Sequence, residues 1–133
     1  MTADAEFQCP MMQLLDTLAG KWAFPVLYRL IALDRPARFG ELHRSIERIT
    51  QKELTKHLRE FEALGLVSRQ AFAEMPPRVE YQITPFGRTL RAPLDELVNW
   101  TTTHGETLFA ARRRAHPAPG TTPATATLPA GSG

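Results

Sequence analysis

The 133-residue sequence has a single cysteine, Cys9, and no long uninterrupted apolar run. One cysteine excludes an intrachain disulfide and a cysteine-rich zinc site, and it fits a reducing compartment. Charged residues interrupt every apolar run well before the roughly 18 residues of a membrane-spanning helix. The N-terminal MTADAEFQ carries acidic residues where a signal peptide has basic ones. These absences predict a soluble, cytoplasmic protein with no membrane partner.

The sequence also lacks the common catalytic and cofactor motifs. It contains no G-x-S-x-G, no phosphate-binding glycine loop and no H-E-x-x-H, and its four histidines show no metal-ligand spacing. We therefore expect neither an enzyme nor a protein that needs a metal or another cofactor. The net charge of +2 and the pI near 9.0 are only mildly basic and give weak support for nucleic-acid binding.

The strongest functional pattern lies between Arg38 and Arg69. Four apolar residues recur there at three- and four-residue spacing and define the buried face of one helix: Leu54, Leu58, Phe61 and Leu64. The opposite face carries polar and cationic residues: Gln51, Lys52, Thr55, Lys56 and Arg59. Such groups contact base edges and phosphates when a helix lies in the major groove of DNA. This pattern predicts a recognition helix.

Capping signals mark both ends of this helix, and further helices are predicted before it. Thr50 is suited to the N-cap, Glu53 completes a capping box, and Gly65 is suited to the C-terminal end. Upstream, we predict a helix that begins at Pro10 and ends near Gly20, followed by helices over Ala23–Leu33 and Phe39–Ile46.

Two strand-like runs follow, Leu66–Ala73 and Val79–Thr84, and together they predict a hairpin, or wing, beside the recognition helix. Thr84-Pro85 then predicts the start of a long helical stretch that kinks at Pro93 and runs toward Arg114. Gly105 and the neighbouring threonines weaken helix propensity, so we expect the helix to fray or to end early there. The mostly apolar stripe of this helix must be buried against another surface, and a second subunit is the simplest candidate.

These elements predict an α+β fold: a winged helix-turn-helix whose N-terminal and long C-terminal helices form a dimer interface. We expect the domain to span residues 9–115. Residues 1–8 and the uncharged Pro/Thr/Ala-rich tail, 116–133, are expected to be disordered because they cannot build a core.

In order along the chain, several motifs resemble the HxlR-type branch of the MarR-like winged-helix transcriptional regulators. They are CP at 9–10, GKW at 20–22, RFGEL at 38–42, ITQKELTKHLREFEALGLVSR at 49–69 and PPRVEYQITPFGRTL at 76–90. The resemblance implies a homodimer that binds an inverted-repeat operator in double-stranded DNA and regulates transcription, more often as a repressor than as an activator. In some members an N-terminal cysteine senses electrophiles or oxidants.

Two turns depart from the family pattern. Glu47-Arg48 stands where the family usually carries Pro-Gly before the recognition helix, and Asp34-Arg35-Pro36 replaces a glycine-rich bend. Both departures concern local turn geometry more than the fold.

The candidate DNA-binding residues have different expected roles. Base contacts concentrate near the N-terminus of a recognition helix, which favours Thr50, Gln51, Thr55 and Lys56, whereas Lys52 and Arg59 suit phosphates. Arg78 in the wing suits the minor groove or a phosphate, with pairing to Glu80 as the alternative. Arg38 and Arg44 are candidate phosphate contacts.

Cys9 lies at a helix start, where the positive end of the helix dipole favours the reactive thiolate. It is therefore a redox-sensing candidate; the alternative is a small apolar residue packed in the dimer interface. Trp22 and Trp100 are interpreted first as core residues, with an effector pocket as the alternative. For the whole protein, the alternatives are a winged-helix protein-interaction module and a regulator that responds to a small-molecule effector without a cysteine switch.

Overall fold

The computed structural model describes residues 9–115, so both predicted disordered termini lie outside the described residues. Its described part divides into two compact units, residues 9–91 and 92–115. The helices are α1 (Pro10–Leu18), α2 (Ala23–Leu33), α3 (Phe39–Ser45), α4 (Gln51–Ala63), α5 (Pro85–Arg88) and α6 (Arg91–Ala115). The strands are β1 (Ala37–Arg38), β2 (Val67–Phe72) and β3 (Arg78–Ile83).

Helix α2 supplies the largest share of the core of the first unit. Its fully or almost fully buried residues are Ala23, Val26, Leu27, Leu30 and Ile31. Helix α2 packs against α4 and β3, whose buried apolar residues include Leu54, Leu58, Phe61 and Ile83. Leu42 of α3 and Val67 of β2 are also buried. Burial of these side chains is the main favourable contribution to folding of the unit.

The predicted helices of the N-terminal half are confirmed, and local signals explain their ends. Helix α2 has the predicted bounds, with Pro25 in its first turn, and Asp34 ends it in the left-handed conformation (φ 48°). Helix α1 begins at Pro10 as predicted, and Gly20 (φ 96°) follows it in a conformation that favours glycine. Helix α3 ends at Ser45, one residue before the predicted end.

The sheet has three antiparallel strands in the order β1-β3-β2. The predicted wing is confirmed as β2 and β3, whose register runs from Val67 opposite Ile83 to Phe72 opposite Arg78. Tyr81 and Ile83 are buried as the alternation predicts, while Val79 is half-buried. The two-residue strand β1 was not predicted; it pairs Ala37 with Tyr81 and thereby joins the wing to the start of α3.

A close contact at Gly87 joins the end of the wing to the end of α4. The Thr84 hydroxyl donates to the Gly65 carbonyl at 2.7 Å and accepts from the Gly87 N–H at 2.9 Å. A Cβ at position 87 would lie 2.3 Å from the Leu66 carbonyl oxygen and 2.6 Å from Cδ1 of Ile83. Only glycine fits this site without movement of the backbone.

Gly87→Ala is therefore expected to lower the free energy of unfolding by about 2–3 kcal/mol, because the added methyl overpacks against backbone. Urea unfolding followed by circular dichroism measures the change. Gly40→Ala in α3 is the matched control: the atoms nearest its Cβ position belong to the flexible guanidinium end of Arg44, so alanine should leave the stability unchanged or raise it by about 0.5–1 kcal/mol. Equal stability of Gly87→Ala and the parent would contradict this account.

Helix α6 makes up the second unit and corrects two sequence predictions. The helical stretch breaks at Thr89 and Leu90, not at Pro93, which lies in the first turn of α6. Proline is tolerated there because a first-turn N–H has no intrahelical acceptor. The expected early end near Gly105 is also wrong, since α6 continues to Ala115. No helix in the described residues is both long and apolar enough to cross a membrane.

Candidate nucleic-acid interface

The predicted recognition helix is α4, and its two faces differ sharply in burial. Leu54, Leu58 and Phe61 are fully buried, as the periodicity predicts. Leu64 was predicted to be buried with them but is 45% exposed. The reason is that Leu64 is the C-cap residue, where the chain leaves the helix toward Gly65 (φ 78°).

The polar residues predicted to contact DNA lie together on the outer face of α4. Gln51, Lys52, Lys56 and Arg59 are exposed, and Thr55 is half-buried. These five residues line one concave surface with Thr50, Glu53 and Glu60. The structure thus gathers the predicted donors on one open face, while their individual contacts with DNA stay predictions.

A capping box fixes the N-terminus of α4. The Glu53 N–H donates to the Thr50 hydroxyl oxygen at 3.0 Å, and the Thr50 N–H donates to Glu53 Oε1 at 3.2 Å. The hydrogen bond from the Thr50 backbone is the main reason that the pKa of Glu53 is lowered. This cap stabilises the fold above the ordinary pKa of a glutamate and is lost as the pH falls through the lowered value. The Thr50 hydroxyl is thus already occupied in the free protein.

His57 lies inward of the polar face and does not add to its charge at neutral pH. Its ring stacks on Phe61, with 6.2 Å between the ring centroids. Burial, and next the charge of Lys56, lower the pKa of His57 below its ordinary value. The imidazole is therefore neutral at pH 7, and the positive charge of this face comes from Lys52, Lys56 and Arg59.

The turn before α4 places a residue other than glycine in the left-handed conformation. Arg48, at the departure from Pro-Gly, adopts φ 69°, in the left-handed region. Asp34, at the other departure, also has a positive φ. A side chain at such a position costs roughly 1–2 kcal/mol per residue, and glycine avoids that cost.

Arg48→Gly is expected to raise the free energy of unfolding by about 0.5–1 kcal/mol, because the relief of strain exceeds the extra entropy of the unfolded chain. Denaturant unfolding measures the gain. Arg59→Gly makes the same chemical change inside α4 and should instead destabilise by about 1 kcal/mol. Loss of stability in both variants would show that the turn is not strained.

The two candidate phosphate contacts outside α4 lie beside the start of α3. Arg38 is exposed in β1, and Arg44 is exposed in α3 with its guanidinium next to Gly40. Glu41 lies between them in sequence, but its carboxylate pairs with Arg35. That hydrogen bond is the main cause of the lowered pKa of Glu41, and the pair offsets its negative charge. Cations therefore dominate this edge of the unit.

The wing arginine is held by three neighbours. Arg78 Nη2 lies 2.9 Å from Glu74 Oε2, and Nη1 lies 3.7 Å from Glu80 Oε2. Its Cζ is 3.9 Å from the centroid of the Phe72 ring, and its buried Nε has no hydrogen-bond partner among the described residues. Pairing with Glu80 was the stated alternative; Glu74 and Phe72 were missed. Contact between Arg78 and DNA stays a prediction.

The remaining candidates are Cys9 and the two tryptophans. Cys9 is exposed at the N-cap of α1, a helix with no buried residue. Trp22 is half-buried and contributes to a groove with Tyr28 and Glu47, and Trp100 is 48% exposed. The core interpretation is therefore wrong for Trp100 within one chain. Residues 9–115 contain no cluster of three or more His, Cys, Asp or Glu arranged to hold a metal.

Comparisons with known proteins agree with this geometry. Residues 17–108 match the family model described as HxlR-like helix-turn-helix. YdeP, an HTH-type transcriptional regulator of Bacillus subtilis, is 41% identical over 92 residues, covering 69% of this chain and 70% of YdeP. The structure of the redox regulator HypR in its reduced form has a TM-score of 0.68 and 38% identity, covering 76% of this chain and 98% of HypR.

A transcriptional regulator of the MarR family from Porphyromonas gingivalis has a TM-score of 0.64 and 33% identity, covering 71% of this chain and 90% of that structure. Both neighbours confirm the winged-helix fold class predicted from the sequence. The chain belongs to the HxlR-like helix-turn-helix family of transcriptional regulators.

Proposed function

We propose that this regulator is a homodimeric repressor that binds an inverted-repeat operator. The observation that carries the proposal is the outer face of α4, where three exposed cations and two polar side chains lie on a helix whose opposite face is fully buried. A rigidly packed helix with such a face fits the major groove and positions its donors toward base edges.

Each part of the surface has its own role in this proposal. Gln51, Thr55 and Lys56, with Thr50 if its cap rearranges, read bases because they lie toward the N-terminus of α4. Lys52 and Arg59 bind phosphates, as do Arg38 and Arg44. Arg78 carries the wing contact in the minor groove or on its phosphates.

The dimer is supported by apolar side chains that a single chain leaves exposed. On α6 they are Leu97, Trp100, Leu108 and Phe109, and on α1 they are Met11, Met12 and Leu15. Leu97, Trp100 and Leu108 lie at helical spacing along one stripe of α6. Apolar side chains on these helices favour burial against a second copy.

A gel shift with DNA from upstream of the chain's own gene tests the proposal. We expect a shifted species that resists excess random DNA and weakens steeply with salt, because phosphate contacts release counterions. The two half-sites should lie about 10 base pairs apart, or a small multiple of that distance. A winged-helix protein-interaction module would give no shifted species and would bind its partner in a salt-tolerant way.

We further propose that oxidation of Cys9 lowers operator affinity. The exposed position of its thiol at the start of α1 supports this proposal, as does the similarity to the redox regulator HypR. The chain has no second cysteine, so diamide, which takes up two hydrogens as two thiols form a disulfide, would join Cys9 to Cys9 of a second copy or to an added small thiol. This treatment should weaken binding by the parent protein and spare Cys9→Ser. Equal losses in both proteins would rule out the switch and favour a regulator whose effector acts without a cysteine.

A further inference from the structure

The three neighbours of Arg78 hold it in different ways. Phe72 lies directly opposite in the hairpin register, and Glu80 lies two residues along the same strand with a side chain only 22% exposed. Glu74 is in the loop between the strands, and its side chain is 50% exposed. Of the two carboxylates, Glu74 is both the closer to the guanidinium and the more open to solvent.

The charges around this arginine cancel in the free protein. Arg38 is paired in register with Glu80 and lines a cavity of about 250 Å³ together with Arg78 and Glu74. Two guanidinium groups and two carboxylates therefore sum to zero. The Glu74 and Glu80 carboxylates therefore weaken the attraction of Arg78 for a DNA phosphate, and Glu74 must move away before a phosphate takes its position.

We propose that Glu74 is a positioning residue that acts as a displaceable counter-ion of the wing arginine. It occupies the outer edge of the Arg78 guanidinium in the free protein, and a DNA phosphate takes its place on docking. Phe72 and Glu80 keep the guanidinium oriented during the exchange. Until a phosphate displaces Glu74, the wing therefore adds little to the affinity of the protein for random-sequence DNA. This inference rests on the proposed DNA-binding function.

Glu74→Gln tests the inference because it removes the charge and keeps the size and polarity. The readout is fluorescence anisotropy of a labelled random-sequence duplex with the full chain. We expect affinity to rise about three- to tenfold at ~0.1 M salt, and the slope of log affinity against log salt to steepen by roughly 0.9, since one more cation contacts phosphate. A purely structural role for Glu74 would not steepen this slope.

Two controls show whether the effect passes through Arg78. Glu106→Gln removes the same charge from α6 and should change affinity much less. In an Arg78→Gln background, Glu74→Gln should have no larger effect than Glu106→Gln. An unchanged salt slope in Glu74→Gln would overturn the inference, as would an equal gain in DNA affinity with and without Arg78. Either result would leave the proposed function standing. Failure of the parent protein to bind any DNA would overturn both.

Discussion

Gln51→Ala is expected to weaken operator binding by about 1–3 kcal/mol, or roughly fivefold to 150-fold, and to relax base preference at one position in each half-site. Gln51 is the first residue of α4 and is exposed beside the capping box, so its amide lies at the helix end that we propose enters the groove. A glutamine amide can form two hydrogen bonds with adenine, at N6 and N7, and alanine can form neither.

Binding to a set of operators with single base-pair changes measures this loss. Gln13→Ala, an exposed glutamine on α1, is the matched control and should bind like the parent. A uniform loss across all operators would make Gln51 a phosphate contact, and an unchanged affinity would remove it from the interface. The same outcomes distinguish a base contact from a phosphate contact for Lys56 in the variant Lys56→Ala.

Phe61→Ala is expected to lower the free energy of unfolding by about 3–5 kcal/mol, through lost burial and the cavity left behind. Phe61 is fully buried on α4, which packs against both α2 and β2. Domains of this size have about 5–15 kcal/mol of stability in total, so the variant should be close to unfolded at physiological temperature. DNA binding should fail with it, because the recognition helix loses its support.

Phe86→Ala is the control for Phe61→Ala. Phe86 lies on α5, and its side chain is 63% exposed. That substitution should change stability by less than about 0.5 kcal/mol. Urea unfolding of the two variants provides the comparison. Similar losses in both would contradict the assignment of Phe61 to the core.

Local signals correctly predicted the cap, the buried face and the end of α4. The capping box of Thr50 and Glu53 depends on residues three apart, and the buried face of α4 depends on helical spacing, so both can be read from the sequence. The same reasoning predicted that Gly65 would end the helix. Leu64 was misassigned because the helical period holds only while the chain remains helical.

Features that depend on distant residues were missed. Strand β1 exists because Ala37 and Arg38 pair with β3, and two residues carry no strand pattern of their own. The position of Phe72 and Glu74 around Arg78 follows from the hairpin register and the path of its loop. The left-handed conformation of Arg48 is imposed by the turn, since arginine itself does not favour it.

Selection of bound sequences from a pool of random duplex DNA, with the purified full-length protein, tests the central claim most directly. We expect enrichment of one inverted repeat, whose half-site centres lie about one helical turn apart or a small multiple of it, and loss of that enrichment in Gln51→Ala. No enrichment from a folded protein, or enrichment that Gln51→Ala leaves intact, would contradict the assignment of α4 as the sequence-reading helix.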